Sequence, residues 1–173
     1  MSASQADVIA AELVAVSRAE LKEELRRLEA CVGRLTLEQL WERRHDAENS
    51  VGNLLLHLRG NVRQWLVCGV GGQPDDRDRD AEFTQREPIP AADLLEPLRH
   101  TLAEADAVLA TLSTSDLLAS RRIQDHDVTI LHAIYHVVEH FSGHVGQVIW
   151  ATKRATGEDL GFYRHLDAKK AEA

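Results

Sequence analysis

Four histidines stand at strict four-residue intervals late in the chain: His132, His136, His140 and His144. On a helix such neighbours lie one turn apart, about 6 Å along the axis and rotated by about 40°, so any adjacent pair could chelate one cation. The residues between them are strongly apolar, among them Ile134, Val137, Phe141, Val145 and Val148. That pattern predicts a helix buried over most of its circumference, Leu131 and Trp150 included, with the histidine stripe facing inward. Four stacked imidazoles cannot all be protonated in a desolvated site, and a metal ion resolves the conflict by binding the neutral form.

A second polar stripe crosses an apolar stretch upstream, where Asn53, His57 and Asn61 recur at intervals of four within Val51–Val67. If the two stripes face each other, His57 and one i, i+4 pair of the quartet give three nitrogen ligands. Such a site leaves a position open to water or substrate, as catalytic rather than structural metal sites do. His132 reads as a helix-start residue and His136 as a hydrogen-bonding partner of the ligands. His45, His100, His126 and His165 read as surface or capping residues.

These side chains need rigid elements to position them. Residues 6–32 place Val8, Ile9, Leu13, Val16, Leu21, Leu25 and Leu28 among charges, which predicts an amphipathic first helix. Thr36 caps a short segment ending near Arg44, and Asn49 or Ser50 caps a second long helix reaching Val70, stopped by Gly69 and the Gly71-Gly72 pair. Residues 73–90, with three prolines and the run Asp75-Asp-Arg-Asp-Arg-Asp, predict a long irregular connection. Its charged part offers Arg79, Asp80 and Glu82 as candidate catalytic or substrate-contacting groups. A third long helix spans 91–112 despite Pro97, residues 121–127 read as irregular, and a fourth helix runs from the cap Thr129 to about Ala155. Four long helices and no convincing strand imply an all-α bundle, with 1–173 as a single domain and a polar tail from Asp167.

Composition narrows the function classes. A 44% hydrophobic, 28% charged chain of 173 residues is long enough for its own core. A formal net charge of −8 repels phosphate backbones, so nucleic acid is excluded as an expected partner. No stretch approaches the roughly 18 apolar residues of a membrane span, and the start Met1-Ser-Ala-Ser-Gln lacks a basic leader, which predicts a cytoplasmic protein with no membrane partner. Two cysteines, Cys31 and Cys68, read as small buried hydrophobes rather than a disulfide.

Three segments together resemble a known group. Asn49 through Trp65, with His57 and Asn61; the loop Asp78 to Phe83; and Leu131 through Gln147, with His140-Phe-Ser-Gly-His144 and Gln three residues on, are similar to the DinB-like (YfiT-like) metal-binding superfamily, in a branch of uncharacterised bacterial proteins. The resemblance covers nearly the whole chain. It implies an up-down-down-up four-helix bundle with a long connection between the second and third helices, often as a homodimer. It implies the ligands His57, His140 and His144, supported by Asn61, His136 and Gln147, with nickel or zinc the usual ion. The best-supported activity it implies is metal-dependent S-transfer with a low-molecular-weight thiol of the bacillithiol or mycothiol type, acting on a small-molecule substrate. The same site could activate water for hydrolysis, although the pair lacks the Glu of a His-Glu-x-x-His helix. A non-catalytic module with a structural metal is the third possibility.

Overall fold

The structure is a computed structural model that describes residues 4–164; His165 and the tail from Asp167 lie outside the described residues. Four long helices dominate: α1 (Gln5–Val32), α3 (Val51–Val62), α5 (Ala91–Ala110) and α6 (Ile130–Thr156), with short α2 (Leu37–Trp41) and α4 (Arg79–Thr84) between them. α1 packs against α5 and α6, and α3 packs against the same two. The chain is thus mostly helical, with its core enclosed between these four helices.

The local chemistry sets the helix starts. Ser4, Thr36 and Ser50 each accept a backbone N–H of the first turn while Asp7, Gln39 and Asn53 return the bond, three complete capping boxes. Thr129 caps α6, which ends at Gly157 in the left-handed region, φ 71°. Pro97 lies in the second turn of α5, and the helix continues through it.

The inward faces differ in part from the sequence reading. α1 buries Ala10, Ser17, Leu21, Glu24, Leu28 and Cys31, a three-four spacing that leaves Val8, Ile9 and Val16 exposed. α6 buries Ile130, Ala133, Ile134, Val137, Phe141, Val145 and Val148 but exposes Leu131 and Trp150, so its apolar residues exceed the face its neighbours cover.

Two segments expected to be irregular are ordered. Residues 121–127 belong to a hairpin, β1 (Ser120–Ile123) paired antiparallel with β2 (His126–Thr129), which corrects the purely helical reading. Gln124 and Asp125 take φ 49° and 64°, the doubly left-handed turn whose twist suits a two-residue hairpin. The second long helix widens after Val62 into a π-helical stretch, Arg63–Val70. Gly69 does not stop it: a Cβ there would lie 2.5 Å from Ile123 Cδ1, so the glycine admits the hairpin. The stop is Gly71-Gly72, with Gly72 at φ 76°. Within 73–90, Asp78 caps α4, which docks on α3.

No described helix is long and apolar enough to cross a membrane. Cys31 and Cys68 are both buried free thiols.

Candidate metal centre

His57 comes from α3, and His140 and His144 come from successive turns of α6. The structure brings one nitrogen of each within 4.8 Å of the others. His57 Nε2 stands 3.1 Å from His140 Nε2. The rings of His140 and His144 meet edge to face at 4.5 Å, and that of His57 lies 5.1 Å from His144. Burial pushes the His140 imidazole down to about 3, aided by the neighbouring histidines, and lowers that of His144 for the same first reason. At neutral pH both are uncharged and available as ligands.

The hydrogen-bond partners fix which nitrogens face inward. Glu82 Oε2 lies 2.9 Å from His57 Nδ1 and an η-nitrogen of Arg77 3.1 Å from it; the carboxylate is the nearer and can only accept, which favours a proton on Nδ1. Gln147 Oε1 likewise accepts from His144 Nδ1 at 3.3 Å. Both rings therefore keep an unprotonated Nε2. His140 then donates from Nε2 to His57, which leaves its buried Nδ1 without a partner among the described residues. The donor set fits a divalent cation: two bare nitrogens and a third whose proton a metal would replace.

Beneath His57 lies an ion pair. Arg77 grips Glu82 with two bonds, Nε to Oε1 at 2.7 Å and an η-nitrogen to Oε2 at 2.8 Å. Burial alone would raise the Glu82 carboxyl, but its bonds to Arg77 and His57 outweigh that and hold it below the ordinary value. Asn53, fully buried, donates to the carbonyls of Glu82 and Gln85 at 2.9 and 3.1 Å, tying α4 down. Phe83 places its ring 4.7 Å from that of His57.

The other sequence candidates fall in different places. Asn61 and His136 meet each other, Nδ2 to Nε2 at 3.4 Å, rather than bonding to the three clustered histidines. His136 lies on the Trp65 ring at 4.0 Å, and Asn61 Oδ1 is buried without a partner among the described residues. Arg79 sits over Phe83 at 4.9 Å, and Asp80 is exposed; neither hydrogen-bonds to the cluster. Glu82 is the member of that trio that reaches the site, through His57. His132 starts α6, its N–H bonding to Thr129, and His45, His100 and His126 are exposed. Sequence reasoning missed Arg77, hidden in a run of alternating charges. It also missed Gly60, although a lone glycine inside the His57–Asn61 stripe is a signal of close approach: a Cβ there would fall 1.9 Å from Glu82 Oε1.

Helices of this arrangement, with three histidines that could hold a metal, define a protein of DinB-like fold. A solved structure supports the class: a DinB-like protein from Bacillus cereus ATCC 10987 superposes with a TM-score of 0.60, covering 79% of this chain and 90% of that one at 16% identity. The chain itself matches, over residues 8–165, the family described as a protein of unknown function, DUF1572, and belongs to it. No curated protein matches it in sequence.

Proposed function

We propose that the protein binds nickel or zinc through His57, His140 and His144 and is an S-transferase that uses a low-molecular-weight thiol. The observation that carries this reading is the convergence of three imidazole nitrogens within 4.8 Å, while Glu82, the carboxylate in contact with the cluster, turns to His57 Nδ1 and Arg77. A closed structural site has four protein ligands. Three leave room for a small molecule.

A bound metal would supply the acidity that turns a thiol into a thiolate at neutral pH. The protein's own residues bind, orient and shield. Glu82 and Gln147 set the proton positions of His57 and His144, and Phe83 covers one face of His57. Burial pushes the thiols of Cys31 and Cys68 up, which favours an external thiol over either cysteine as the nucleophile. Hydrolysis is less well supported, because it needs a base and both Glu82 oxygens are already engaged. The same reading makes residues 1–173 one domain, its long helices the up-down-down-up bundle, and the working form a cytoplasmic homodimer.

Elemental analysis of purified variants tests the site. His57→Ala, His140→Ala and His144→Ala should each lose metal, whereas His45→Ala and His100→Ala should keep it. Full occupancy in His57→Ala would remove the cross-helix site. The enzyme reading requires that a free thiol perturb the spectrum of the cobalt-substituted protein and that His140→Ala abolish the change. Indifference to every thiol, together with a large loss of thermal stability on chelation, would make the metal structural.

A further inference from the structure

The connection between α3 and α5 carries a device that the histidine spacing does not reveal. Arg77 and Glu82 lie five residues apart, and both side chains are more than nine-tenths buried. Arg77 is further fixed by Gln64, whose Oε1 accepts an η-nitrogen at 2.9 Å. The other η-nitrogen lies 2.8 Å from Glu82 Oε2 and 3.1 Å from His57 Nδ1. Two arrangements of protons are conceivable around that triangle. Were Nδ1 bare, it could accept from the Arg77 η-nitrogen at 3.1 Å, but its lone pair would also face the nearer carboxylate oxygen at 2.9 Å, two acceptors in contact. An ionised Glu82 therefore selects the tautomer with the proton on Nδ1 and the lone pair on Nε2.

We propose that Glu82 is a positioning residue for the three-histidine site: held by Arg77, it locks His57 in the Nδ1–H tautomer, and through it the docking of α4 on α3 is coupled to metal loading. The second half rests on the metal-binding reading above; the first does not. α4 has six residues, too few to persist as an isolated helix. Its attachment to α3 runs through Asn53, which holds its C-terminal end, and through the Arg77–Glu82–His57 chain. Gly60 supplies the space in which the Glu82 carboxylate sits. A cation on Nε2 makes the Nδ1 proton more acidic and strengthens its bond to the carboxylate. By reciprocity, whatever holds Glu82 in place raises metal affinity.

The near-isosteric variant Glu82→Gln discriminates sharply. Its carboxamide has no charge and one acceptor oxygen, while Arg77 addresses both oxygen positions and His57 Nδ1 only the second of them. With the amide nitrogen at that second position the carboxamide donates to a bare Nδ1, and His57 then protonates Nε2 and loses the lone pair it would offer a metal, so the variant unlocks the tautomer. Nitrogen-15 NMR of the full-length, metal-free protein should show the Nδ1–H tautomer for His57 in wild type and a rise of the Nε2–H tautomer in Glu82→Gln. Nickel affinity by calorimetry should fall about 10–100-fold in that variant. Glu82→Asp, which keeps the charge, should retain Nδ1–H and lose less. Nickel should slow hydrogen exchange of the α4 amides in wild type but not in Glu82→Gln.

An Nε2–H tautomer in wild type, or a Glu82→Gln variant that binds nickel as tightly as wild type, overturns the proposal. Should Glu82→Gln not fold, the wild-type tautomer and the Glu82→Asp affinity decide it. If wild type takes up no nickel, the metal-binding reading fails and the coupling with it, while the tautomer measurement still decides what Glu82 does to His57.

Discussion

Replacing Gly60 by alanine inverts the usual sign of a glycine-to-alanine change inside a helix. In an open position the added methyl group stabilises a helix by about 1 kcal/mol. At Gly60 the new Cβ would lie 1.9 Å from Glu82 Oε1 and 2.8 Å from Arg77 Nε, against an ordinary carbon–oxygen contact of roughly 3.3 Å. The carboxylate must retreat by more than an ångström, and it cannot do so while keeping its bonds to Arg77 and to His57. Hydrogen bonds to charged groups contribute about 1.5–3 kcal/mol each. Loss of one or two, less the helix gain, leaves Gly60→Ala destabilised by about 0.5–5 kcal/mol. Gly143 and Gly146 on α6 are the internal controls, since both are exposed and a Cβ at either meets nothing within 4 Å. Each should gain about 1 kcal/mol as alanine. Urea unfolding of the metal-free protein reads all three. A Gly60→Ala protein as stable as wild type would refute the close seat of Glu82, and a destabilised Gly143→Ala would refute an open face on α6.

Other substitutions test neighbouring links. Asn53→Ala removes the return bond of a capping box and strands two carbonyls of the α4 segment, so it should cost about 2–4 kcal/mol by urea unfolding and speed exchange of the α4 amides. Gln147→Leu frees the His144 ring and should weaken nickel binding about 10-fold by calorimetry, with the fold unchanged by circular dichroism. Glu24 is buried on α1, and desolvation raises its carboxyl above the ordinary 4.5 despite Arg27. Because the folded value is the higher one, the ionised form costs stability above that value and the cost is absent below about pH 4.5. Glu24→Gln should therefore melt higher than wild type at pH 7, and the difference should vanish at pH 4.

The long elements and the polar stripes of α3 and α6 were legible because each rests on a local rule, while the choice of His140 and His144 from the quartet came from the resemblance. Apolar periodicity and the caps Thr36, Ser50 and Thr129 place three helix starts within a residue or two of those observed. The hairpin was not legible. Its strands, Ser-Arg-Arg-Ile and His-Asp-Val-Thr, bury only Ile123 and Val128, and its Gln-Asp turn lacks the glycine that usually signals two left-handed residues. The Asp75–Asp80 run hid Arg77 because a buried and a solvated arginine look alike among alternating charges. What separates them is Gly60, Gln64 and Glu82, gathered from two elements by packing. Glu82 was legible as a functional candidate, but its role was not, since only the fold shows that it faces the back of His57 rather than the space between the histidines.

The polar stripe on α3 can be followed as a gradient from stability towards binding. The N-cap Ser50 and then Asn53, His57 and Asn61 recur every three or four residues, all buried, on a helix otherwise built, Arg59 apart, from valine, leucine and glycine. A buried polar group destabilises the fold unless it is bonded. Ser50 and Asn53 satisfy each other as a cap, and Asn53 has spare donors for the α4 carbonyls. His57 is satisfied on its far side by Glu82 but meets another imidazole on its near side. Asn61 bonds weakly to His136 and leaves Oδ1 without a partner, as His140 leaves Nδ1. Hydrogen bonding is thus complete at the capped end of the stripe and incomplete where it meets α6. Each unpaired atom withholds about 1–3 kcal/mol from the folded state. The deficit falls on the α6 side of the stripe, where His57, His140 and His144 converge. In the proposed metal site a cation would replace the single His57–His140 contact, whereas the complete bonding around Ser50 and Asn53 leaves nothing for a ligand to satisfy.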